Sequence, residues 1–319
     1  MWIAGVRTAA TSVYPDMGAL VPLADSGQWA ALTTQIRAIG LGHPAREAIT
    51  LQHLGALTSV QTLHRDQETP GEDPRTLDLL VASGLINQAW DARGQGRSDS
   101  VATQTWDLFF GKLNESESLL TRLIAEDPAD PRPWFLRLIS GRGLELGEGE
   151  LRRRYERLGE LAPGHVPAQL QLLQVLCPKW SGTWEKAFEH ARACAASGVG
   201  TDGPAVVAVA HFEKATERTD LSEMTAYLRA PEVLPEIRYT AAQSVDHVEY
   251  VQDWTWVTAR SAFAWCFAVA DLDDEAAPHW LALGDRGDEL LFGRYPSPDA
   301  HVTKRLNASR AKALNGVRA

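Results

Sequence analysis

The chain has 319 residues with a formal net charge of −10, and 45% of them are hydrophobic and 23% charged, a balance that excludes wholesale disorder. The acidic surplus speaks against a nucleic-acid partner, which calls for clustered Lys and Arg. No apolar run reaches the ~20 residues needed to cross a bilayer, and the opening MWIAGVRTAATSVYPDMG lacks a basic region followed by an apolar core. The expectation is a cytoplasmic protein with no membrane role.

In chain order, the first fifteen residues carry no clear pattern and are expected to fray or to lie against the first repeat. Met17 to Ala24 reads as a short helix. Gln28 to Ile39 follows, with Trp29, Leu32, Ile36 and Ile39 on one stripe. His43-Pro44 opens a helix carrying Ala45, Ile49, Leu51 and Leu54, and Leu57 to Asp66 continues as helix. Gln67 to Pro74 is a surface loop by composition. Asp73-Pro74 then supplies an N-cap with proline in the first turn, and the helix runs to about Ala92. It should bury Leu77, Leu80, Val81, Leu85, Ile86 and Trp90.

Arg93 to Ser100 is polar and glycine-rich. It holds a Gly-x-Gly pair, but no strand precedes it and no Walker lysine follows. A hinge fits better, dividing an N-terminal helical segment, 1–95, from a repeat array, 96–319.

Beyond the hinge, Asp99 or Ser100 should cap a helix bearing Trp106, Phe109, Phe110 and Leu113, with a partner helix from Glu115 to Ala125. Next come Trp134 to about Gly141, Glu148 to Leu161, AQLQLLQVL and TWEKAFEHARACA. PAVVAVAHFEKATER, Leu221 to Leu228, Glu236 to Val245, DWTWVTARSAFAWCFAVADL, Asp274 to Leu283 and Ala300 to Leu314 complete the series. The last of these is polar enough for an end cap. No alternating β-branched run of useful length occurs. Asp127-Pro128, Ala162-Pro163 and Ser197-Gly198 recur at a spacing of 35, close to the ~34 of two-helix repeats. The fold class expected is all-α, a tetratricopeptide-like (TPR-like) α-solenoid of antiparallel helix pairs. The 11 tryptophans should fill gaps between stacked pairs.

DPADPRPW, LAPGHVPAQLQLL, LCPKWSGTWEKAFEHAR and VAHFEKA together resemble an uncharacterised family of bacterial TPR-like helical proteins, over roughly Asp99 to Val245. In that pattern a Pro-Lys-Trp-Gly-Gly turn precedes an amphipathic helix. Ser181-Gly182 stands here in place of two glycines, and a tryptophan expected near Phe292 is absent. The resemblance implies architecture and no reaction.

Several constellations admit a chemical reading. His190 and Cys194 are spaced i, i+4, which can chelate a metal. Trp184, Phe188, Ala191 and Ala195 define the core stripe, however, and His190 falls about 130° from its centre at 3.6 residues per turn, so flank packing is expected and no metal site is assigned. Arg152, Arg153 and Arg154 lie close to Glu148, Glu150 and Glu156 and read as a solvated, internally paired face. Asp271 to Glu275 reads as helix-terminal carboxylates, with Asp274 capping the next helix. The cysteines, Cys177, Cys194 and Cys266, have no Cys-x-x-Cys spacing and read as buried reduced thiols.

For ligand or partner binding, Lys179 and Trp180 sit in a turn where a cation and a flat apolar ring could meet a ligand. His211 and Glu213 sit on a helix apolar almost all round in its first half, where a buried histidine is usually a hydrogen-bonded core residue. His247 and Trp254 complete the candidate set. The leading expectation is an intracellular scaffold or adaptor without a cofactor, holding a protein or peptide, by charge a basic one, in a concave groove. The rival is an all-α enzyme or small-molecule-binding protein with a pocket near Lys179, His211, Glu213 and His247, walled by Tyr250, Trp254 and Trp256. A homo-oligomer is a third reading.

Overall fold

The computed structural model describes residues 3–63, 73–94, 103–294 and 300–316. Among these the chain is all-helical, with 18 α-helices and no strand. Its one β-type contact there is an isolated parallel bridge between Arg7 and Arg286. The chain divides into two compact units: Met1–Val13 with Leu176–Ala319, and Tyr14–Val175. The first, here the terminal unit, includes the short helix α1 (Ala10–Val13); the second is the middle unit.

In the middle unit the helices are α2 (Pro15–Gly18), α3 (Val21–Asp25), α4 (Trp29–Gly40), α5 (Pro44–Leu54), α6 (Thr58–Gln61), α7 (Pro74–Arg93), α8 (Thr103–Glu126), α9 (Pro131–Gly143), α10 (Glu148–Leu161) and α11, which begins at Val166 and runs to Leu176 at the unit's end. Helix starts follow local chemistry. The Asp73 carboxylate accepts from the Arg75 and Thr76 backbone N–H groups, and Asp130 does the same for Arg132, each just before a proline in the first turn. Helix α7 packs on α4, α5, α6, α8 and α9, and α9 also packs on α8 and α10. Val81 and Trp90, expected inside α7, are only half-buried, while Leu79, Ala82 and Ser83 lie fully in.

Three expectations are corrected here. Met17 to Ala24 is two short helices, split between Gly18 and Val21. The pair expected before Asp127 is one helix, α8, of 24 residues. Lys112-Leu113-Asn114-Glu115 contains no proline or glycine, and the Ser116 hydroxyl, which could have turned back on its own backbone, donates to the Ala82 carbonyl at 3.0 Å. The arginine face is not wholly solvated either. Arg152 and Arg153 pair locally with Glu148 and Glu150, but Arg154 is 2% exposed and meets Glu117 at 2.8 Å, Glu150 at 2.7 Å and the Arg137 carbonyl at 2.6 Å. The proposed hinge and the Gln67 to Pro74 loop fall largely outside the described residues.

The terminal unit contains α12 (Trp184–Ser197), α13 (Ala205–Ala215), α14 (Leu221–Leu228), α15 (Leu234–Gln243), α16 (Trp256–Val269), α17 (Asp273–Leu283) and α18 (Ala300–Gly316), with a 3₁₀ turn at Pro178–Trp180 and a π-helical turn at Leu290–Arg294. Helices α13 and α16 are its inner members. In α13 only Lys214 escapes full burial, and in α16 only Thr258 and Arg260 do. They pack on each other; α13 is also contacted by α12, α14 and α15, and α16 by α14, α15, α17, α18 and the π turn. Apolar residues all round such a helix are what enclosure demands.

The N-terminal segment, expected to fray or to lie against the first repeat, is pinned by hydrogen bonds within the terminal unit. The Ala4 N–H donates to Asn307 Oδ1 at 2.8 Å, and the Arg7 N–H donates to the Asp285 carbonyl at 2.7 Å. The Arg7 carbonyl in turn accepts from the Gly287 N–H at 2.9 Å. Backbone groups that no helix satisfies find partners in α18 and the loop after α17. Asp274 is not a cap: α17 begins one residue earlier, with Asp273, Asp274 and Glu275 all in its first turn, where the helix dipole favours carboxylates.

Candidate functional site

The turn Cys177 to Thr183 places the first group of the site. Pro178 starts the 3₁₀ turn, Ser181 adopts a left-handed φ of 70°, and the Gly182 N–H returns to the Cys177 carbonyl at 3.2 Å. A Cβ on Gly182 would stand 2.1 Å from the Leu176 carbonyl oxygen, so only glycine fits that approach. Thr183 then caps α12 through the Lys186 N–H. Lys179 is thereby held so that its Nζ reaches Glu213 Oε2 on α13 at 2.7 Å.

That pair helps to line an open-mouthed cavity of about 330 Å³, all of whose lining residues belong to the terminal unit. Its wall is mostly apolar. Phe212 comes from α13, Met224 from α14 and Trp265 from α16, with Leu290, Leu291 and Phe292 from the π turn and Val302 and Leu306 from α18. Ile3 and Cys177 close it from the chain's first residues and from the turn. Phe212 meets Trp265 edge-on, 4.9 Å between centroids, and Phe292 stacks on Trp280 at 5.3 Å. These contacts hold the aromatic wall in fixed orientation.

Polar groups gather at one side of the cavity: Lys179, Glu213, Thr216 and Glu217, with Thr303 across from the α18 side. Glu213 stands in the last turn of α13, and Thr216 and Glu217 lie in the turn that follows its end at Ala215. Glu213 is 6% exposed and matched by Lys179, whereas Glu217 is exposed and accepts from the Trp184 indole Nε1–H at 3.0 Å. Trp184 thus lines the cavity with its ring and aims a carboxylate with its N–H.

The candidate residues separate into those at the cavity and those elsewhere. Lys179 and Glu213 meet there. Trp180, in the same turn, is not among the lining residues. His211 is two positions from Glu213, about 200° around the helix, and so faces away. Its ring is buried against Phe188 at 4.7 Å, its Nε2–H donates to Glu236 at 3.0 Å, and its Nδ1 accepts from the Tyr227 hydroxyl at 2.8 Å. Burial lowers the His211 pKa more than Glu236 raises it, so the ring is neutral; Glu236 is held well down by that hydrogen bond and by Arg192. Both ring nitrogens are engaged, as in a satisfied core histidine. Lys214 and Arg218 do share its face, lying over the Tyr227 ring at 5.8 and 4.2 Å.

His247 sits in the loop after α15, its Nδ1 accepting from the Glu249 N–H at 3.2 Å, and Trp254 is half-buried beside Asp253. Neither they nor Tyr250 and Trp256 line the cavity. The Tyr250 hydroxyl instead donates to buried Asp202 at 2.5 Å.

His190 and Cys194 are both buried, 7% and 3% exposed, with the sulfur 3.6 Å from Nε2. The flank placement is therefore corrected: the inner face of α12 is Ala187, Phe188, His190, Ala191 and Cys194, and Ala195 is half-buried. Among the described residues no group of three or more His, Cys, Asp or Glu could hold a metal ion. The three cysteines are free and buried. No helix among these residues is long and apolar enough to cross a membrane.

Sequence reasoning passed over Trp184, Thr216, Glu217, Met224, Trp265, Phe292, Val302 and Leu306. The polar run that closes the apolar helix, Glu213 to Glu217, is a readable signal; the rest come from segments far apart in the chain. Together, fold and site define an all-α protein with a mostly apolar, open-mouthed cavity whose lining includes Lys179, Glu213 and Glu217. No family model, curated protein or solved structure matches the chain.

Proposed function

We propose that the terminal unit is a receptor for a small amphipathic molecule, which places its apolar body in the cavity and its polar end at the Lys179–Glu213 rim. The observation that supports this best is the cavity itself. Protein interiors are close-packed, with few voids larger than a water molecule, and about 330 Å³ lined by Phe212, Trp265, Phe292, Val302 and Leu306 falls at the lower end of ligand pockets, ~300–1,000 Å³. A few polar groups converging on an apolar hollow supply orientation, and the hollow supplies the driving force.

Isothermal titration with 1-octanol tests the reading. Saturable one-to-one binding is expected, with a negative heat-capacity change from buried apolar area. Phe292→Trp should abolish it by filling the cavity, and Val302→Trp should do so from the opposite wall. Binding that survives both substitutions in folded protein would refute the reading.

A second reading, the scaffold or adaptor, draws on a separate observation. Val199, Tyr239, Val248 and Val251 are exposed at 47%, 64%, 95% and 70%. Their segments are linked by Gly200 N–H to the Gln243 carbonyl and Val251 N–H to the Gly200 carbonyl. Exposed apolar groups gathered in this way suit a protein or peptide partner, and the net charge of −10 favours a basic one. TPR-like stacking of helix pairs, kinship with such repeat proteins and a cytoplasmic location belong to this reading. Affinity capture with Val248→Asp and Val251→Asp as controls, and light scattering for a homo-oligomer, test it; capture unaffected by both substitutions would count against it.

A further inference from the structure

The rim carries more negative than positive charge, and that selects a ligand class. The lining contains two carboxylates, Glu213 and Glu217, and one cation, Lys179. Lys179 is committed to Glu213 at 2.7 Å. Glu217 has no cation within ion-pair distance among the described residues; its partner is the neutral indole N–H of Trp184, at 3.0 Å. Lys214 lies over the Trp184 ring, 5.8 Å from its centroid, and is not part of the lining. An arriving anion would face two carboxylates and compete with Glu213 for its lysine. An arriving cation would meet a carboxylate with no ion-pair partner, held at the indole edge of Trp184 by a neutral hydrogen bond. The Lys179–Glu213 pair already shows a primary alkylammonium seated at this rim.

Resting on the receptor reading above, we infer that the ligand class is a primary alkyl- or arylalkylammonium, whose cation is received by Glu217 beside Glu213 and whose apolar body fills the cavity. A cavity of about 150 Å³ holds one benzene, so about 330 Å³ holds roughly 13 heavy atoms by the same proportion. Eight to ten carbons behind the nitrogen meet that limit. The Thr216 hydroxyl donates its proton to the Glu213 carbonyl at 2.9 Å, so it offers an incoming group an acceptor that an ammonium can use and a carboxylate cannot. Lys179 sets a second preference: it keeps Glu213 occupied, so the incoming cation pairs first with Glu217.

The test compares three probes of matched length, octylammonium, 1-octanol and octanoate, by calorimetric titration of the full chain at low salt. Octylammonium should bind about tenfold tighter than 1-octanol, the increment of one charge-assisted hydrogen bond, and octanoate more weakly than either. Glu217→Gln should remove the amine's advantage, read as the ratio of octylammonium to 1-octanol affinity within the same variant, bringing that ratio to about one. Trp184→Phe, which releases Glu217, should reduce that advantage several-fold. An amine no tighter than the alcohol, or octanoate the tightest of the three, would overturn the inference while leaving the receptor reading standing. Failure of all three probes to bind would remove both.

Discussion

Replacing Asp202 with Asn should change how stability depends on pH, by an amount the structure sets. Asp202 is 2% exposed and accepts hydrogen bonds from the Tyr250 hydroxyl and the Thr255 hydroxyl, each at 2.5 Å. Burial raises its pKa from 3.8 to about 6, against the pull of those two hydroxyls; Asp253 raises it further and Arg260 lowers it. The folded carboxyl therefore holds its proton more tightly than the unfolded one. Its contribution to stability is fully present below the unfolded value, near pH 3.8, and is lost as pH rises through the folded value, near 6. At 1.36 kcal/mol per pKa unit the loss comes to about 3 kcal/mol. Asp202→Asn cannot ionise, and its carboxamide can still pair with both hydroxyls. Urea unfolding of the two proteins from pH 4 to pH 7 reads the effect as a difference, in which carboxylates common to both, such as Glu117 and Asp130, cancel. The wild type should lose about 2.4 kcal/mol relative to the variant across that range, the remainder of the ~3 kcal/mol being lost already by pH 4. A difference that stays flat, or that moves in favour of the wild type as pH rises, would refute the reasoning.

Other outcomes follow from the same contacts. Glu117→Leu should destabilise the middle unit by about 3 kcal/mol, because it strips the buried Arg154 of its 2.8 Å partner; adding Arg154→Met should restore most of the loss in urea melts. Gly182→Ala, whose Cβ would meet the Leu176 carbonyl oxygen at 2.1 Å, should cost about 3 kcal/mol and weaken 1-octanol binding. Ser181→Gly should instead raise stability by up to about 1 kcal/mol, since the left-handed φ of 70° is strained for serine. Cys266, which burial pushes far above the usual thiol range, should alkylate only on unfolding, as mass spectrometry along a urea series can show.

Local signals carried far in this sequence. Asp73-Pro74 and the Leu221 to Leu228 run mark their helices within a residue, and Glu148 to Leu161 does so at both ends, because a cap, a proline or a glycine acts on its own neighbours. The period of α8 was legible but its continuity was not, since Asn114 is weak punctuation and tertiary packing on α7 decides. His190 defeated the helical wheel because α12 buries a wider face than its apolar residues define. The cavity was half legible. Lys179 and Glu213 stand out as charges beside apolar runs, and Ser181-Gly182 marks a turn that needs left-handed backbone. The wall joins Ile3 to residues 177–184, 212–224, 265 and 290–306, and no periodicity encodes contacts at such separations. His211 was drawn into the candidate set by closeness in sequence, whereas the two-residue offset turns it to the other side of α13.

The most direct measurement is methyl-labelled NMR of the full chain titrated with 1-octanol. The account predicts saturable shifts concentrated on the methyls of Met224, Leu290, Leu291, Val302 and Leu306, abolished in Phe292→Trp. Shifts that are absent, or that scatter over exposed methyls such as those of Val248 and Val251, would contradict it.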